Sequence, residues 1–226
     1  MNTCVVIPVY NESKKIADIT KKLRALGLPV VVVDDGSRDD SALLSEQQGA
    51  IVLKNARNLG KGASLCRGFE YAVQNGFDAV ITMDGDGQHD VAEVPVFIQA
   101  AENSQSGLYI GDRMTKSKGM PPERYMTNRL MSALISMVAG QKINDSQCGF
   151  RLLKKELLKK LSLQTKNFEI ESEMIIQTCR LGFTCESIPI RTLYGSQKSK
   201  INPCLDTWRF ICFITRQLWI TKHSEK

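Results

Sequence analysis

Short runs of apolar, largely β-branched residues recur through the first 115 residues, and each is followed by a segment with helical spacing. The predicted strands are 4–9, 30–33, 51–53, 79–83 and 107–110, and the predicted helices are 12–26, 39–48, 61–75 and 91–101. Continuously apolar strands separated by helices are typical of a parallel sheet covered on both faces. The pattern therefore predicts an α/β, Rossmann-like fold, in which ligands bind at the carboxyl ends of the strands.

The alternation changes after residue 115. Helical spacing returns at 124–139, 154–161 and 170–181, a strand is predicted at 184–190, and residues 144–151 are a polar connection. The sequence contains neither repeats nor low-complexity tracts. We expect one domain, residues 1–204, whose second half completes the pocket formed by the first, followed by a tail at 205–226.

Three polar clusters follow predicted strands, at 10–12, 34–35 and 84–86, so the fold would bring them to one edge of the sheet. Asp84 and Asp86 are one residue apart, and two such carboxylates repel each other unless a cation is present. Oxygen ligands of this kind suit Mg²⁺ or Mn²⁺. A calcium-binding EF-hand is excluded, because its required Gly and Glu are replaced by His89 and Pro95. A polar β-turn with solvated carboxylates is the alternative.

The Asp34–Asp35 pair and a glycine-rich stretch at 58–63 can each be explained with or without a bound nucleotide. Asp34 and Asp35 suit hydrogen bonding to a base or ribose, or else an Asx turn with the following glycine and serine. The glycine-rich stretch 58–63 matches neither the dinucleotide fingerprint nor the phosphate loop of nucleotide hydrolases. Lys61 begins a predicted helix, where it could face phosphates, although a simple loop-to-helix turn would have the same sequence.

The charge and cysteine content narrow the class of protein. A net charge of +6 fits a polyanionic partner such as a nucleotide, a lipid phosphate or an anionic membrane surface, and the absence of dense Lys/Arg runs disfavours nucleic acid. The seven cysteines form no CxxC pair and indicate buried thiols in a reducing cytosol. We expect no signal peptide, because the N-terminus lacks a basic region followed by an apolar stretch, and no membrane-spanning helix, because no apolar run approaches about 20 residues.

Taken together, these motifs resemble a known family. Residues 8–12 (PVYNE), 33–37 (VDDGS), 58–62 (NLGKG) and 83–89 (MDGDGQH) are similar in order and spacing to the inverting glycosyltransferase family 2, which has a GT-A fold. Residues 111–113, 145–151 and 194–200 extend the similarity, which covers about residues 3–205. The sequence resembles in particular the dolichol- or polyprenyl-phosphate mannosyl- and glucosyltransferases of that family.

The resemblance implies roles for matching positions. Pro8, Tyr10, Glu12 and Asp35 would hold the base and ribose, and Asp84, Asp86 and Gln88 would surround Mg²⁺ or Mn²⁺ at the donor diphosphate. Asp86, Arg113 and Arg129 would be the catalytic residues, the two arginines facing donor or acceptor phosphates. Lys61, Arg151, Arg191 and Lys200 would also bind substrate phosphates. In the mannosyltransferase pattern a basic residue precedes a compact G-E-S-K. Here two extra residues separate Gly195 from Ser199 and Lys200, which departs from that pattern.

The implied activity is transfer of a hexose, with inversion, from a GDP-mannose- or UDP-glucose-type donor to a polyprenyl or dolichyl phosphate at the cytoplasmic membrane face. An ionised lipid phosphate attacks unaided, whereas a sugar hydroxyl of a growing glycan would need a base such as Glu169, Glu171 or Glu173. The further alternatives are a non-catalytic nucleotide-sugar-binding protein and a phosphoacceptor signalling domain. The latter is disfavoured because residues 10–12 lack its acidic pair.

The tail, 205–226, has amphipathic helical spacing. Its predicted apolar face contains Trp208, Ile211, Cys212, Leu218 and Trp219, and basic residues are interspersed. Tryptophan next to basic residues on an amphipathic helix is typical of an interfacial anchor, so we predict a cytoplasmic protein peripherally associated with the membrane. A helix packed on the domain or in a homodimer interface is the alternative.

Overall fold

The structure, a computed structural model, describes residues 1–115, 120–191, 209–210 and 212–217. The first half alternates strands with helices, as the sequence predicts. Its strands are β1 (Thr3–Val9), β2 (Val30–Asp34), β3 (Ile51–Lys54), β4 (Ala79–Thr82) and β5 (Leu108–Asp112). Its helices are α1 (Ser13–Ala25), α2 (Ser41–Gln47), α3 (Lys61–Gln74) and α4 (Val94–Asn103), the last preceded by a 3₁₀ turn at Val91–Glu93.

The second half contributes helices α5 (Pro122–Ala139), α6 (Lys155–Leu158) and α7 (Ile170–Arg180) and strands β6 (Arg151–Lys154) and β7 (Cys185–Pro189). All seven strands form one sheet in the order β3-β2-β1-β4-β6-β5-β7. Strands β1 to β4 are mutually parallel, and β5 and β7 are parallel to each other. The prediction of a mostly parallel sheet flanked by helices, the GT-A arrangement, is confirmed.

Strand β6 is the element that the sequence prediction missed. The sequence predicts a polar connection up to residue 151 and a basic helix over 154–161, but Arg151–Lys154 pairs antiparallel with both β4 and β5. Only Lys155–Leu158 of the predicted helix is helical. Four residues are too few to show an alternating pattern, and the pairing that stabilises them lies far away in sequence.

The core lies along the central strands. Every residue of β2 and β4 is buried, whereas the edge strand β3 is half exposed. Helix α3 crosses β1 at Gly68, where a Cβ atom would collide with the Val6 side chain. This close approach draws α3 and the loop that precedes it onto the sheet, which fixes the start of the helix beside the carboxyl ends of β1, β2 and β4.

The described part of the tail packs on the domain. Residues 209–210 and 212–217 are helical, and Phe210, Phe213 and Ile214 are buried within the main core. Arg180, at the end of α7, donates to the side-chain oxygen of Gln217 at 2.6 Å. Of the predicted interfacial face, Cys212 is exposed, and Trp208, Ile211, Leu218 and Trp219 lie outside the described residues. In the described part of the chain, no helix combines the length and apolarity needed to cross a bilayer.

Candidate active site

The three polar clusters converge on one edge of the sheet. Strands β2, β1 and β4 are adjacent and parallel, so their carboxyl ends lie side by side. The Asp35 amide bonds the Val9 carbonyl at 2.8 Å, which joins the first two strand ends. Gly85 lies against Val9 and Glu12, since a Cβ there would come within 3.2 Å of the first and 3.6 Å of the second. The turn after β4 therefore packs directly on the loop after β1.

The loops after β1 and β2 are joined by hydrogen bonds from backbone to side chain. Asn11, with φ of 55°, accepts from the Arg38 amide at 2.8 Å, and its own amide donates to Ser37 Oγ. The Glu12 amide donates to Ser41 Oγ at 2.8 Å. These bonds fix the backbone on either side of Tyr10 and Glu12, which are half-buried at the rim. Short polar residues after strands commonly bond nearby backbone, a signal that the sequence prediction did not use.

Asp39 completes this junction. Burial disfavours its charge, but hydrogen bonds from Ser41 and Ser13 outweigh that effect and lower the pKa of the Asp39 carboxyl to about 2. The bonds measure 2.5 Å from Ser41 Oγ and 3.1 Å from the Ser13 amide. An ionised carboxylate therefore anchors the start of α1, and with it the loop that follows β1.

Asp35 lies beneath the glycine-rich loop. Its carboxylate is 4% exposed and accepts from Asn55 Nδ2 at 2.7 Å, the Leu59 amide at 2.9 Å and the Gly60 amide at 2.8 Å. The sequence predicts that Asp35 holds the base or ribose. In the structure its oxygens are instead engaged by this loop, so its direct contribution is to position residues 59–60.

Glycine is required on the other side of the same loop. A Cβ atom at Gly60, where φ is 98°, would strike the Lys166 carbonyl oxygen, and one at Gly62 would strike that of Thr165. The Gly62 amide also donates to the Lys166 carbonyl at 2.7 Å. The glycine-rich stretch is thus clamped between Asp35 below and residues 165–166 above, and the clamp directs Lys61 inward.

Lys61 bridges two carboxylates. Its Nζ is 2.5 Å from Asp84 Oδ1 and 2.6 Å from Glu171 Oε1, and its side chain is 17% exposed. Burial opposes the charged form, yet the two carboxylates prevail and raise the pKa of Lys61. For Asp84, burial is likewise outweighed by the neighbouring ammonium, which lowers the pKa of the carboxyl below its usual range. Gly149 passes so close that a Cβ atom would lie 2.7 Å from Asp84 Oδ2.

Asp86 has a different environment. Burial and the charge of Asp84 raise the pKa of its carboxyl, with Glu12 acting in the same direction. Gln88 donates to it twice, from the backbone amide at 2.9 Å and from Nε2 at 2.8 Å. Two crowded carboxylates, one with a raised pKa, form a donor set that a divalent cation would stabilise.

The described residues contain no cluster of three His, Cys, Asp or Glu side chains that could hold a metal alone. A metal at Asp84 and Asp86 would therefore complete its shell with other oxygens, as Mg²⁺ does with substrate phosphates. His89 accepts from the Asp84 amide at 3.2 Å and stacks on Phe150, and burial lowers its pKa. The neutral imidazole therefore holds the turn after β4 in place through its hydrogen bond with the Asp84 amide.

The basic residues predicted to bind phosphates lie in different environments. Arg113 is 6% exposed and forms a bidentate pair with Asp145, with nitrogen–oxygen distances of 2.7 and 2.9 Å. It lies close enough to Asp84 and His89 for its charge to affect both pKa values. Arg129 is exposed on α5, and Arg191 is exposed after β7, where its amide donates to Glu93. Lys200 lies outside the described residues.

Arg151 is fully buried in β6, away from any open surface. Its guanidinium donates to the carbonyl oxygens of Cys148 at 2.8 Å, Ser146 at 2.8 Å and Glu171 at 2.5 Å. These bonds fit a supporting role better than the phosphate contact that the sequence favoured. They tie the loop before β6 to the start of α7, the two segments that supply counter-charges to the site.

Acidic residues of the second half contribute more to the site than the sequence predicts. The sequence offers Glu171 as a base, a helix-capping acid or a solvated acid, and Asp145 as part of a motif, whereas in the structure each pairs with a cation of the first half. Glu173 accepts from the amides of Gln164 and Thr165 and from the Thr165 hydroxyl, which shapes the segment over the glycine-rich loop. Closely spaced acids at the start of a helix were the available signal, but their partners are not visible in sequence.

A cavity of about 550 Å³ opens between α5 and the loops that follow β5 and α5. Its lining combines two cations, Arg129 and Lys142, with polar and apolar side chains, among them Thr115 and Ile143. Three large apolar side chains on α5 are strongly exposed beside it, Met126, Leu130 and Met137, at 64%, 63% and 64%. A cationic pocket bordered by an apolar helix face suits a ligand with an anionic head and an apolar tail.

Comparison with known proteins gives a consistent result. A sequence profile described as Glycosyl transferase family 2 matches residues 4–162. The UDP-N-acetylglucosamine–dolichyl-phosphate N-acetylglucosaminyltransferase of Methanococcus voltae is 28% identical over 213 residues, which cover 84% of this chain and 85% of that protein. The undecaprenyl-phosphate mannosyltransferase of Micrococcus luteus is 27% identical over 204 residues, covering 84% and 83%.

Among solved structures, glucosyl-3-phosphoglycerate synthase from Mycobacterium tuberculosis, in complex with Mn²⁺, uridine diphosphate and glucosyl-3-phosphoglycerate, superposes with a TM-score of 0.69. The match covers 96% of this chain and 78% of that one, at 20% identity. At this identity the similarity establishes the fold.

Proposed function

Because the chain belongs to glycosyl transferase family 2 and is a glycosyltransferase, we propose that it moves a hexose from a nucleotide-diphosphate sugar to a polyprenyl or dolichyl phosphate. The observation that carries the proposal is the pair Asp84 and Asp86, placed at the carboxyl edge of the sheet beside Lys61. Two relatives whose names specify lipid-phosphate acceptors, one dolichyl and one undecaprenyl, support this acceptor class.

On the donor side, we assign Asp84, Asp86 and Gln88 to a divalent cation, Mg²⁺ or Mn²⁺, at the diphosphate. The cation would neutralise negative charge that grows on the leaving phosphate as the glycosidic bond breaks. Lys61 and Arg113 are positioned near Asp84 to add positive charge at the same place. Tyr10 and Glu12, on the rim after β1, border the space for the base and ribose, together with Pro8 at the end of that strand.

On the acceptor side, the cavity beside α5 supplies the binding chemistry. Arg129 and Lys142 would bind the lipid phosphate, and the exposed face of Met126, Leu130 and Met137 would contact the lipid chain or the membrane surface. The exposed apolar side chains on α5 support a position at the membrane face where the lipid phosphate is presented. An ionised phosphate is already a nucleophile at neutral pH, so displacement of the nucleotide diphosphate, with inversion, needs no protein base.

A hydroxyl acceptor is less well supported by the site. Glu173 is engaged by the backbone of residues 164–165, and Glu171 is 4% exposed and paired with Lys61. Glu169, the remaining candidate, is half-buried at the start of α7. A phosphate acceptor brings its own charge and therefore fits a site in which Glu171 and Glu173 are already engaged.

The test is a transfer assay with a panel of nucleotide-diphosphate sugars, Mg²⁺ or Mn²⁺, and either polyprenyl phosphate or polyprenol as acceptor. We expect transfer to the phosphate only, loss of activity with EDTA, and a loss of at least about 100-fold in Asp86→Ala. Asp18→Ala, which removes an exposed carboxylate paired with Lys22, should keep full activity. Transfer to polyprenol, or equal activity of Asp86→Ala and Asp18→Ala, would contradict the proposal.

A further inference from the structure

Two cysteines outside the candidate active site lie in contact with each other. Cys179 is in the last turn of α7 and Cys185 is the first residue of β7, and their sulfur atoms are 3.8 Å apart. Both side chains are half-buried. A disulfide needs a sulfur–sulfur distance of about 2.05 Å, so the two sulfurs must approach by about 1.7 Å to form one.

The surrounding backbone holds this pair in place. The turn between the cysteines is closed by the Gly182 amide, which donates to the Cys179 carbonyl at 3.0 Å, and by the Phe183 amide, which donates to the Thr178 carbonyl at 3.1 Å. Gln141 fixes the other side, because its side chain accepts from the Cys185 amide at 3.0 Å and donates to the Cys185 carbonyl at 2.5 Å. The proximity of the sulfurs therefore follows from the fold of three segments.

The two thiols also differ in reactivity. The Cys185 thiol stabilises the thiolate of Cys179 by hydrogen bonding, which lowers the pKa of Cys179. Burial instead raises the pKa of Cys4 to about 12 and the pKa values of Cys66 and Cys148 to about 11. Thiolate character and access decide which cysteine reacts first, so Cys179 is the expected attacking group.

We propose that Cys179 and Cys185 form a covalent modification site, a dithiol that is converted to an intramolecular disulfide by low-molecular-weight disulfides such as oxidised glutathione. The Cys179 thiolate attacks one sulfur of the small disulfide and releases one thiolate, giving a mixed disulfide. The Cys185 thiolate then attacks Cys179 Sγ and releases the second small thiol. The protein loses two electrons and two protons, and the small disulfide is reduced to two thiols.

The new bond would tie the last turn of α7 to the first residue of β7. Helix α7 carries Glu171 at its other end, and β7 leads to Arg191. Oxidation would thus link the element that pairs with Lys61 to the strand at the edge of the sheet, without placing either sulfur in the site itself.

Trypsin offers a direct test, because it cleaves after Arg180, between the two cysteines. The folded protein is equilibrated with oxidised glutathione, alkylated under denaturing conditions and digested. We expect peptides 167–180 and 181–191 to be recovered as one disulfide-linked species, with a mass about 2 Da below the sum of the two. Added reductant should separate them.

Cys66→Ser is the matched control, since Cys66 is also half-buried, and it should give the same linked species. Cys179→Ser and Cys185→Ser should each abolish it. Glutathione addition at the exposed Cys212 reports that the oxidant was active. Recovery of both peptides unlinked while Cys212 is modified, or linkage of either cysteine to a different partner, would overturn the proposal.

Discussion

Replacing Lys61 by methionine tests whether the structure identifies the main electrostatic support of the site. The substitution keeps most of the side-chain length and removes the ammonium that lies 2.5 Å from Asp84 and 2.6 Å from Glu171. The lysine side chain is 17% exposed and that of Glu171 is 5% exposed, so water compensates little for the lost charge. Asp84 and Glu171 would then both lose the ammonium that bridges them.

Removing one partner of a buried ion pair typically costs about 3–5 kcal/mol, because the remaining charge is left unpaired. We therefore expect Lys61→Met to lower the free energy of unfolding at neutral pH by about 3–5 kcal/mol, a large share of the roughly 5–15 kcal/mol of a typical domain. Urea unfolding followed by circular dichroism measures this loss. Lys54→Met, at an exposed pair with Glu46, should cost less than about 1 kcal/mol.

A double variant tests whether the unpaired charge of Glu171 causes the loss of stability. In Lys61→Met/Glu171→Gln, one of the unpaired carboxylates is neutral, so about 1–3 kcal/mol of the loss should be recovered. If Lys61→Met were no less stable than Lys54→Met, or if the double variant lost the sum of the two single losses, the bridge would not be the support that its geometry indicates.

Four further outcomes are expected from urea unfolding or steady-state kinetics. Asp39→Asn should be less stable than the parent protein above about pH 4, by no more than about 1 kcal/mol because the carboxylate is partly solvent-exposed. The difference should disappear as the pH falls from 3.8 towards 2, because the pKa of Asp39 is lower in the folded state than in the unfolded state. A difference in stability that does not depend on pH would contradict the low pKa of Asp39. Arg151→Lys should cost about 3 kcal/mol or more, since one ammonium cannot reach three separated carbonyls, and a loss under about 1 kcal/mol would contradict this. Asp86→Asn should keep or raise stability at neutral pH while losing metal-dependent transfer; a clear loss of stability would contradict the crowding of carboxylates inferred here. Arg129→Ala should raise the KM for polyprenyl phosphate about 10-fold or more and leave the donor KM unchanged, whereas Arg124→Ala, outside the cavity, should change neither.

The parts of the fold that the sequence predicts are those encoded by local periodicity. Strands β1, β2 and β4 are continuous apolar runs, and a parallel sheet necessarily brings the polar residues that follow them to one edge. Strand β6 escapes this reasoning because Arg151–Lys154 is short and begins and ends with a basic residue. Its stability comes from pairing with β4 and β5, and a contact between distant segments leaves no local pattern.

In the candidate site, too, the sequence shows local features but not the contacts between distant segments. A carboxylate after a strand can be located from sequence, but the group that it contacts cannot. Asp35 is engaged by the glycine-rich loop, and Arg113 is paired with Asp145, 32 residues further along. The sequence therefore locates these charged residues, whereas their internal partners are visible only in the folded structure.

The contrast between Asp84 and Asp86 follows from where these internal partners lie. Lys61, aligned by the loop above Asp35 and by Glu171, already neutralises Asp84 and lowers its pKa. For Asp86, burial and the nearby charges of Asp84 and Glu12 act together to raise the pKa. A divalent cation bound here would therefore gain most at Asp86, and it would compete with the lysine for Asp84. Because the ammonium is also held by Glu171, a segment of the second half sets the charge at the turn after β4, so the site is complete only when both halves of the domain are folded.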